Sequence, residues 1–182
     1  MSAIVNVLGR CEWRKPAFSG RMLPEVDKVE RIVIYTDGGC SGNPGPGAWA
    51  YVLLRDGERF EASGAEPDTT NNRMELSAVI MALERLVGDP GLRKVPVELH
   101  TDSQYVQLGM TRWIAGWVRN GWKNASGDPV KNQDLWRRLQ GTAEGLAITW
   151  HWVKGHEGDE LNERCDELVQ AAIAASRAAE PR

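Results

Sequence analysis

Residues 32–47 read IVIYTDGGCSGNPGPG and join two segments of opposite character. The run Ile32 to Tyr35 is β-branched and aromatic, which is typical of a buried strand. The segment from Gly38 to Gly47 holds five glycines and two prolines, which disfavour both helix and strand. Asp37 lies at the junction. We therefore predict a buried strand that ends at Asp37, at the sheet edge where open α/β folds bind ligands.

The patterns that follow predict a mixed α/β domain. Asp56-Gly57 is a tight-turn dipeptide and predicts a hairpin. Apolar residues at helical spacing then predict a helix from Thr69 to Val87. The other predicted elements are the hairpin strands 48–55 and 58–63, strands 95–101 and 148–153, and helices 103–109, 112–119, 132–144 and 159–176. Because helices and strands do not alternate throughout, the sheet is not expected to be wholly parallel.

The composition limits the class of protein and its location. A chain of 182 residues is typical of one domain with a short appendage. Its net charge of −3 does not by itself indicate nucleic-acid binding, and no apolar run approaches the roughly 20 residues of a membrane span. Three cysteines without a CxxC pair argue against a zinc or disulfide framework and favour a reducing, cytoplasmic location.

Three segments differ in pattern. Residues 1–30 show no period and are predicted to form a poorly ordered arm, with Met22 as an alternative translation start. Residues 31–176 carry the periodic segments and form the predicted domain, and residues 177–182 form a short tail.

Four acidic residues occupy positions that suggest a shared role. Asp37 and Asp102 each follow a predicted strand, Glu75 heads the apolar stripe of a helix, and Asp166 lies beside the apolar face of the last helix. Each alone is explained by a turn, a cap or a solvated surface. Together they suggest a site for Mg²⁺ or Mn²⁺, which prefer oxygen ligands. Two such ions can promote phosphodiester hydrolysis.

Four sequence blocks resemble the bacterial ribonucleases HI of the type 1 ribonuclease H family, in the same order, between about Arg31 and Ile173. These blocks are YTDGGCSGNPGPG (35–47), TTNNRMEL (69–76), TDSQYV (101–106), and VKGHE (153–157) with NERCDEL (162–168). The resemblance implies a five-stranded mixed sheet, three strands antiparallel and two parallel, flanked by helices. It implies Mg²⁺-dependent hydrolysis of the RNA strand of RNA–DNA hybrids, leaving 5′-phosphate and 3′-hydroxyl ends.

The resemblance also implies the catalytic residues. Asp37, Glu75, Asp102 and Asp166 match the family's metal-binding carboxylates, with one ion activating the attacking water and the other stabilising the leaving oxygen. Mn²⁺ is expected to substitute for Mg²⁺. His156 matches the histidine that assists proton transfer or product release. His100 is a rival on the strand face of Asp102, and His151 is predicted to be structural.

The resemblance also implies which residues contact the hybrid. We expect the enzyme to be a monomer. Asn43, Asn71, Asn72 and Gln104 match positions at the minor groove, where an amide can recognise the 2′-hydroxyl of RNA. Thr70 and Asn132 match a phosphate pocket, although Asp68 stands where many relatives carry arginine. Residues 111–138 hold six cationic and two acidic residues with four interleaved tryptophans. They match the family's basic protrusion, with Trp113, Arg119 and Lys123 as DNA-strand contacts.

Other functions fit the sequence less well. A nucleotide-binding loop would need G-x-G-x-x-G or G-x-x-x-x-G-K-[ST], and neither follows Asp37. A non-catalytic hybrid-binding module would be expected to have lost a carboxylate. That module, and a nuclease of the same fold with another nucleic-acid substrate, are the alternatives.

Overall fold

A computed structural model describes residues 30–155 and 157–179. The predicted N-terminal arm, apart from Glu30, and the last three residues lie outside the described residues. The elements in chain order are β1 (Ile32–Cys40), β2 (Gly45–Arg55), β3 (Glu58–Thr69), α1 (Asn71–Val87), β4 (Val97–Thr101), α2 (Gln104–Leu108), α3 (Ile114–Arg119), α4 (Gln133–Ala143), β5 (Ile148–Trp152) and α5 (Glu160–Ala179).

The strands form one five-stranded mixed sheet in the order β3-β2-β1-β4-β5. β1 pairs antiparallel with β2 and parallel with β4, so it is the central strand. β2 pairs antiparallel with β3, and β4 pairs parallel with β5. This is the predicted fold class, three antiparallel strands followed by two parallel ones.

Helices cover both faces of the sheet, and the alternation of β1 assigns a face to each residue. Ile32 and Ile34 are fully buried in the main core with residues of α1, such as Leu76 and Ile80. The other face packs against α5, where Val169 joins a smaller cluster with residues of β2. Tyr35 and Asp37 alternate with the isoleucines and therefore face the α5 side.

The observed elements differ from the predicted ones at several boundaries. β1 continues through Gly38 and Gly39 to Cys40, because each of these residues pairs with β2. The two short helices predicted near residues 103–119 are joined by a π-helical turn, Gly109–Trp113. α5 continues to Ala179 rather than ending near Ser176, so the predicted tail begins inside this helix.

The glycine at position 38 permits the closest contact between β1 and α1. A Cβ atom built on Gly38 would lie 2.2 Å from the backbone nitrogen of Glu75 and 2.2 Å from the carbonyl carbon of Met74. Because backbone atoms cannot swing away as side chains do, only glycine fits there. Because the two backbones meet there, Asp37, which directly precedes Gly38 on β1, is held close to Glu75 on α1.

We expect Gly38→Ala to destabilise the protein by about 1–3 kcal/mol or more, the usual cost of forcing extra atoms into a packed core. Urea denaturation of the two proteins measures the difference. The matched control is Gly141→Ala in α4, where an added Cβ meets nothing within 4 Å. This control should be neutral or stabilising by up to about 1 kcal/mol. Equal stability of Gly38→Ala and the parent protein would contradict the close-contact interpretation.

Candidate active site

The four acidic residues singled out in the sequence line one open cavity of about 330 Å³. Asp37 comes from β1, Glu75 from α1, Asp102 from the residue directly after β4, and Asp166 from α5. Four elements that are distant in sequence therefore place their carboxylates around one space. Asn71, Asn162 and Gln170 are among the other residues that line it.

Hydrogen bonds orient three of these carboxylates. The Asn71 amide donates to Glu75 Oε1 over 2.9 Å, and the Ser103 hydroxyl donates to the other oxygen of Glu75. The backbone N–H of Gly38 donates to Asp37 Oδ1 over 2.8 Å. The Gln170 amide donates to Asp166 Oδ1 over 3.2 Å.

Burial and mutual repulsion make the ionised cluster costly. Burial first, and then the nearby Asp102, raise the pKa of Asp37 to about 7. Asp166 and Glu75 add to this shift, and the Gly38 N–H opposes it. Burial and Asp102 likewise raise the pKa of Glu75, against the hydrogen bond from Ser103. Both shifts show that local positive charge is too weak to balance the carboxylates.

The donor set fits a hard divalent cation. Carboxylate and amide oxygens are the ligands that Mg²⁺ and Mn²⁺ prefer, and a bound dication would offset the repulsion that raises these pKa values. The absence of a side chain at Gly155 also leaves room beside Asp102, because a Cβ atom there would lie 2.8 Å from Asp102 Oδ2. The residues present therefore fit the metal that the sequence pattern suggested.

Of the four predicted minor-groove amides, Asn71 lines this cavity. Asn71 and Asn72 begin α1, Gln104 begins α2, and Asn43 lies in the exposed loop between β1 and β2. Asn71 is half-buried, whereas the other three are exposed. Only Asn71 is shown here in contact with a carboxylate.

The predicted phosphate pocket is built at two helix starts. Thr70 occupies the N-cap position of α1, and Asn132 occupies that of α4 in the left-handed region, with φ of 55°. The Asn132 amide donates to the Tyr105 hydroxyl over 3.4 Å. Asp68, the departure from the family pattern, is exposed on β3.

The basic protrusion predicted between residues 111 and 138 presents cations over packed aromatic rings. Trp136 is fully buried and Trp122 nearly so, whereas Trp113 is 38% exposed. Arg119 and Lys123 are exposed. The Arg137 guanidinium lies 4.9 Å from the centroid of the Trp122 ring. The tryptophans therefore serve mainly as packing, whereas the cationic side chains face outward.

The structure describes two of the three histidines. His156 lies outside the described residues, between Gly155 and Glu157. His100 and His151 stack on each other on the α5 side of the sheet, with ring centroids 4.6 Å apart. Burial and the neighbouring His151 lower the pKa of His100, against the opposite effect of Asp159 and Glu98.

Comparisons with known proteins establish the family of the chain. The family model described as RNase H matches residues 29–174. Ribonuclease HI of Xylella fastidiosa (strain Temecula1) is 56% identical over 149 residues, which are 82% of this chain and 96% of the relative. The chain belongs to the RNase H family.

Two solved structures of RNases H resemble this RNase H fold. LC9-RNase H1, a type 1 RNase H with the type 2 active-site motif, superposes with a TM-score of 0.71 at 36% identity, covering 81% of this chain and 74% of that one. LC11-RNase H1, solved in complex with an RNA/DNA hybrid, gives a TM-score of 0.63 at 28% identity, covering 81% and 99%.

The sequence reasoning missed Ser103 and Gln170 in this RNase H site. Ser103 directly follows Asp102, and its oxygen both donates to Glu75 and accepts from the Val106 N–H over 3.2 Å. Gln170 lies four residues after Asp166 on α5, a spacing at which helix side chains meet. That spacing is the signal that could have found it.

We expect the stability of the metal-free protein to fall as pH rises from about 4 to about 7. In that window the unfolded Asp37 is ionised, whereas the folded one, with its pKa raised to about 7, still binds a proton. Asp37→Asn should remove the part of this loss that Asp37 causes and stabilise the metal-free protein at pH 8 by on the order of 2 kcal/mol. Chemical denaturation in chelator across this pH range measures both effects.

The exposed Glu144→Gln serves as the control and should leave the pH profile unchanged. An unchanged profile in Asp37→Asn would show that this carboxylate does not cause the loss.

Proposed function

We propose that this RNase H hydrolyses the RNA strand of RNA–DNA hybrids with two divalent cations, Mg²⁺ by preference, and leaves 5′-phosphate and 3′-hydroxyl ends. The supporting observation is that Asp37, Glu75, Asp102 and Asp166 line one cavity in a chain of the RNase H family. LC11-RNase H1, which shares the fold, was solved in complex with an RNA/DNA hybrid.

The four carboxylates would hold the cations, and Asn71, Ser103 and Gln170 would keep three of the acid groups turned into the cavity. Two bound Mg²⁺ ions supply electrostatic stabilisation of the attacking water and of the leaving 3′-oxygen. Mn²⁺ has the same ligand preference and should support the reaction. Asp166 carries one amide partner and lies at the side of the cavity formed by α5.

Recognition of the hybrid would divide between two surfaces. Asn43, Asn71, Asn72 and Gln104 would contact the minor groove, where an amide both donates to and accepts from the 2′-hydroxyl. The second surface would bind DNA-strand phosphates and make the affinity depend on salt. Its members are Thr70, Asn132, Trp113, Arg119 and Lys123.

His156 is proposed to take up or release a proton near the leaving group, or to assist product release. In the sequence it lies between Gly155 and Gly158, and small residues of this kind often serve as hinges. General acid–base help of this kind is typically worth about 10²–10⁴-fold, so the histidine would assist rather than carry the reaction.

The wider assignments are proposals as well. We propose a monomeric, cytoplasmic enzyme with its catalytic domain within residues 31–176, an appended N-terminal arm and a short C-terminal tail. Cys40 and Cys165 are free thiols, which fits a reducing compartment. Among the helices of the described residues, none is long and apolar enough to cross a membrane.

The function is tested with hybrids labelled on either strand, beside duplex DNA and duplex RNA. We expect Mg²⁺-dependent cleavage of the RNA strand of the hybrid alone. Asp102→Asn should lower the rate by about 10²–10³-fold or more, because electrostatic groups at a reacting centre contribute at least this much.

The control Glu144→Gln, which changes an exposed acid at the end of α4, should retain full activity. Cleavage that persists in excess chelator, or equal cleavage of the DNA strand, would contradict the proposed function.

A further inference from the structure

Three aromatic rings form a row across the parallel half of the sheet, on its α5 side. The strand register places Tyr35 of β1 opposite His100 of β4, and His100 opposite His151 of β5. The Tyr35 and His100 rings are 4.4 Å apart at 9°, and those of His100 and His151 are 4.6 Å apart at 16°. His151 lies 51 positions after His100 in the sequence, so only the fold makes the two histidines neighbours.

A carboxylate completes this group of potential ligands. Glu98 precedes His100 by two residues on β4 and therefore lies on the same face. One ligand atom from each of Glu98, His100 and His151 lies within 4.8 Å of the others. In the described part of the chain, this is the one group of three His, Cys, Asp or Glu ligands that meets this condition.

One ring nitrogen of this group is buried without a partner. Nε2 of His151 is shielded from solvent and makes no hydrogen bond to any of the described residues. Buried polar atoms are nearly always paired, because an unpaired one costs the free energy of its lost hydration. A bound ion at this place would satisfy the nitrogen.

We propose that Glu98, His100 and His151 form a second metal site, which binds a borderline divalent cation of the Zn²⁺ type. Two imidazoles and a carboxylate are a ligand set that zinc accepts with a fourth position open to water. Imidazole nitrogen does not suit Mg²⁺, whereas the oxygen-only cavity around Asp37 does. The two sites therefore select different ions by ligand chemistry.

Occupancy requires the two imidazoles to reorient. Two nitrogens on a tetrahedral zinc ion, each bound at about 2.0–2.1 Å, lie about 3.4 Å apart, and the three ligand atoms already lie within 4.8 Å of one another. Because the lone pairs of stacked, nearly parallel rings do not converge on one point, the two half-buried imidazoles must turn out of the stack to bind the same ion. Arg31 holds one oxygen of Glu98, Nη1 to Oε1 at 3.0 Å, and leaves the second oxygen as the ligand.

The bound ion would link β4 to β5 immediately before the active site. His100 lies two residues before Asp102 on β4, and His151 lies next to Trp152, whose indole N–H donates to the Asp102 carbonyl over 3.0 Å. Zinc at this site would therefore stabilise the strand ends that carry Asp102 and the loop after β5.

The test uses the full chain with Zn²⁺ as the probe and excess Mg²⁺ present to occupy the carboxylates. The chain has three histidines, so the imidazole proton resonances can be assigned from single variants. Zn²⁺ should shift the resonances of His100 and His151 at one equivalent and leave those of His156 unchanged. Calorimetry should give one Zn²⁺ per chain, and the melting temperature should rise.

His151→Gln and Glu98→Gln should each weaken zinc binding by about 10–100-fold or more, since loss of even an outer-shell partner typically costs this much. His156→Gln is the matched control and should bind zinc as the parent protein does. The proposal fails if the shifts are confined to His156, if Mg²⁺ competes directly for the zinc, or if the two ligand variants bind zinc undiminished. The resonance measurement on the parent chain decides the matter even if a variant folds poorly.

Discussion

The approach of β1 to α1 at Gly38 is the constraint on which the site depends. No side chain separates the Gly38 backbone from that of Met74 and Glu75. The strand therefore delivers Asp37, and the helix delivers Glu75, to the same end of the sheet. Parallel pairing of β1 with β4 brings Asp102 to that end as well, and α5 adds Asp166 from the other layer. Main-chain packing therefore sets the positions of the four carboxylates, and their side chains need little conformational freedom to reach the site.

This arrangement concentrates negative charge where solvent screens it weakly, and the raised pKa of Asp37 records the cost. The amides of Asn71 and Gln170 and the hydroxyl of Ser103 orient the acids but bring no cationic charge. In the absence of metal, the cluster opposes folding, whereas a bound dication turns the same groups into ligands. The carboxylates that bind the metal therefore lower the stability of the metal-free protein, a trade-off that is common at catalytic sites.

Hydrophobic periodicity predicted a mixed α/β domain and the order of its elements, because it is a local signal, and the positions of the four acidic residues suggested a metal site. The arrangement of the five strands was implied only by the family resemblance. The sequence did not predict that β1 runs through Gly38 and Gly39, since intrinsic preference disfavours glycine in strands and only pairing with β2 overrides it. It missed the roles of Ser103 and Gln170, which depend on their hydrogen bonds to Glu75 and Asp166. The row formed by Tyr35, His100 and His151 could not be seen in sequence, because it arises from the register of three strands.

The central claim, that the carboxylate cluster is a divalent-cation site that stays partly protonated without metal, is tested most directly by calorimetric titration of Mg²⁺ in buffers of different ionisation enthalpy. At pH 7, close to the raised pKa of Asp37, binding should release a fraction of a proton, because the metal requires the ionised carboxylate. The release should vanish at pH 9 and be smaller in Asp37→Asn. Mg²⁺ binding with no proton release at pH 7, or the same release in Asp37→Asn, would contradict the account.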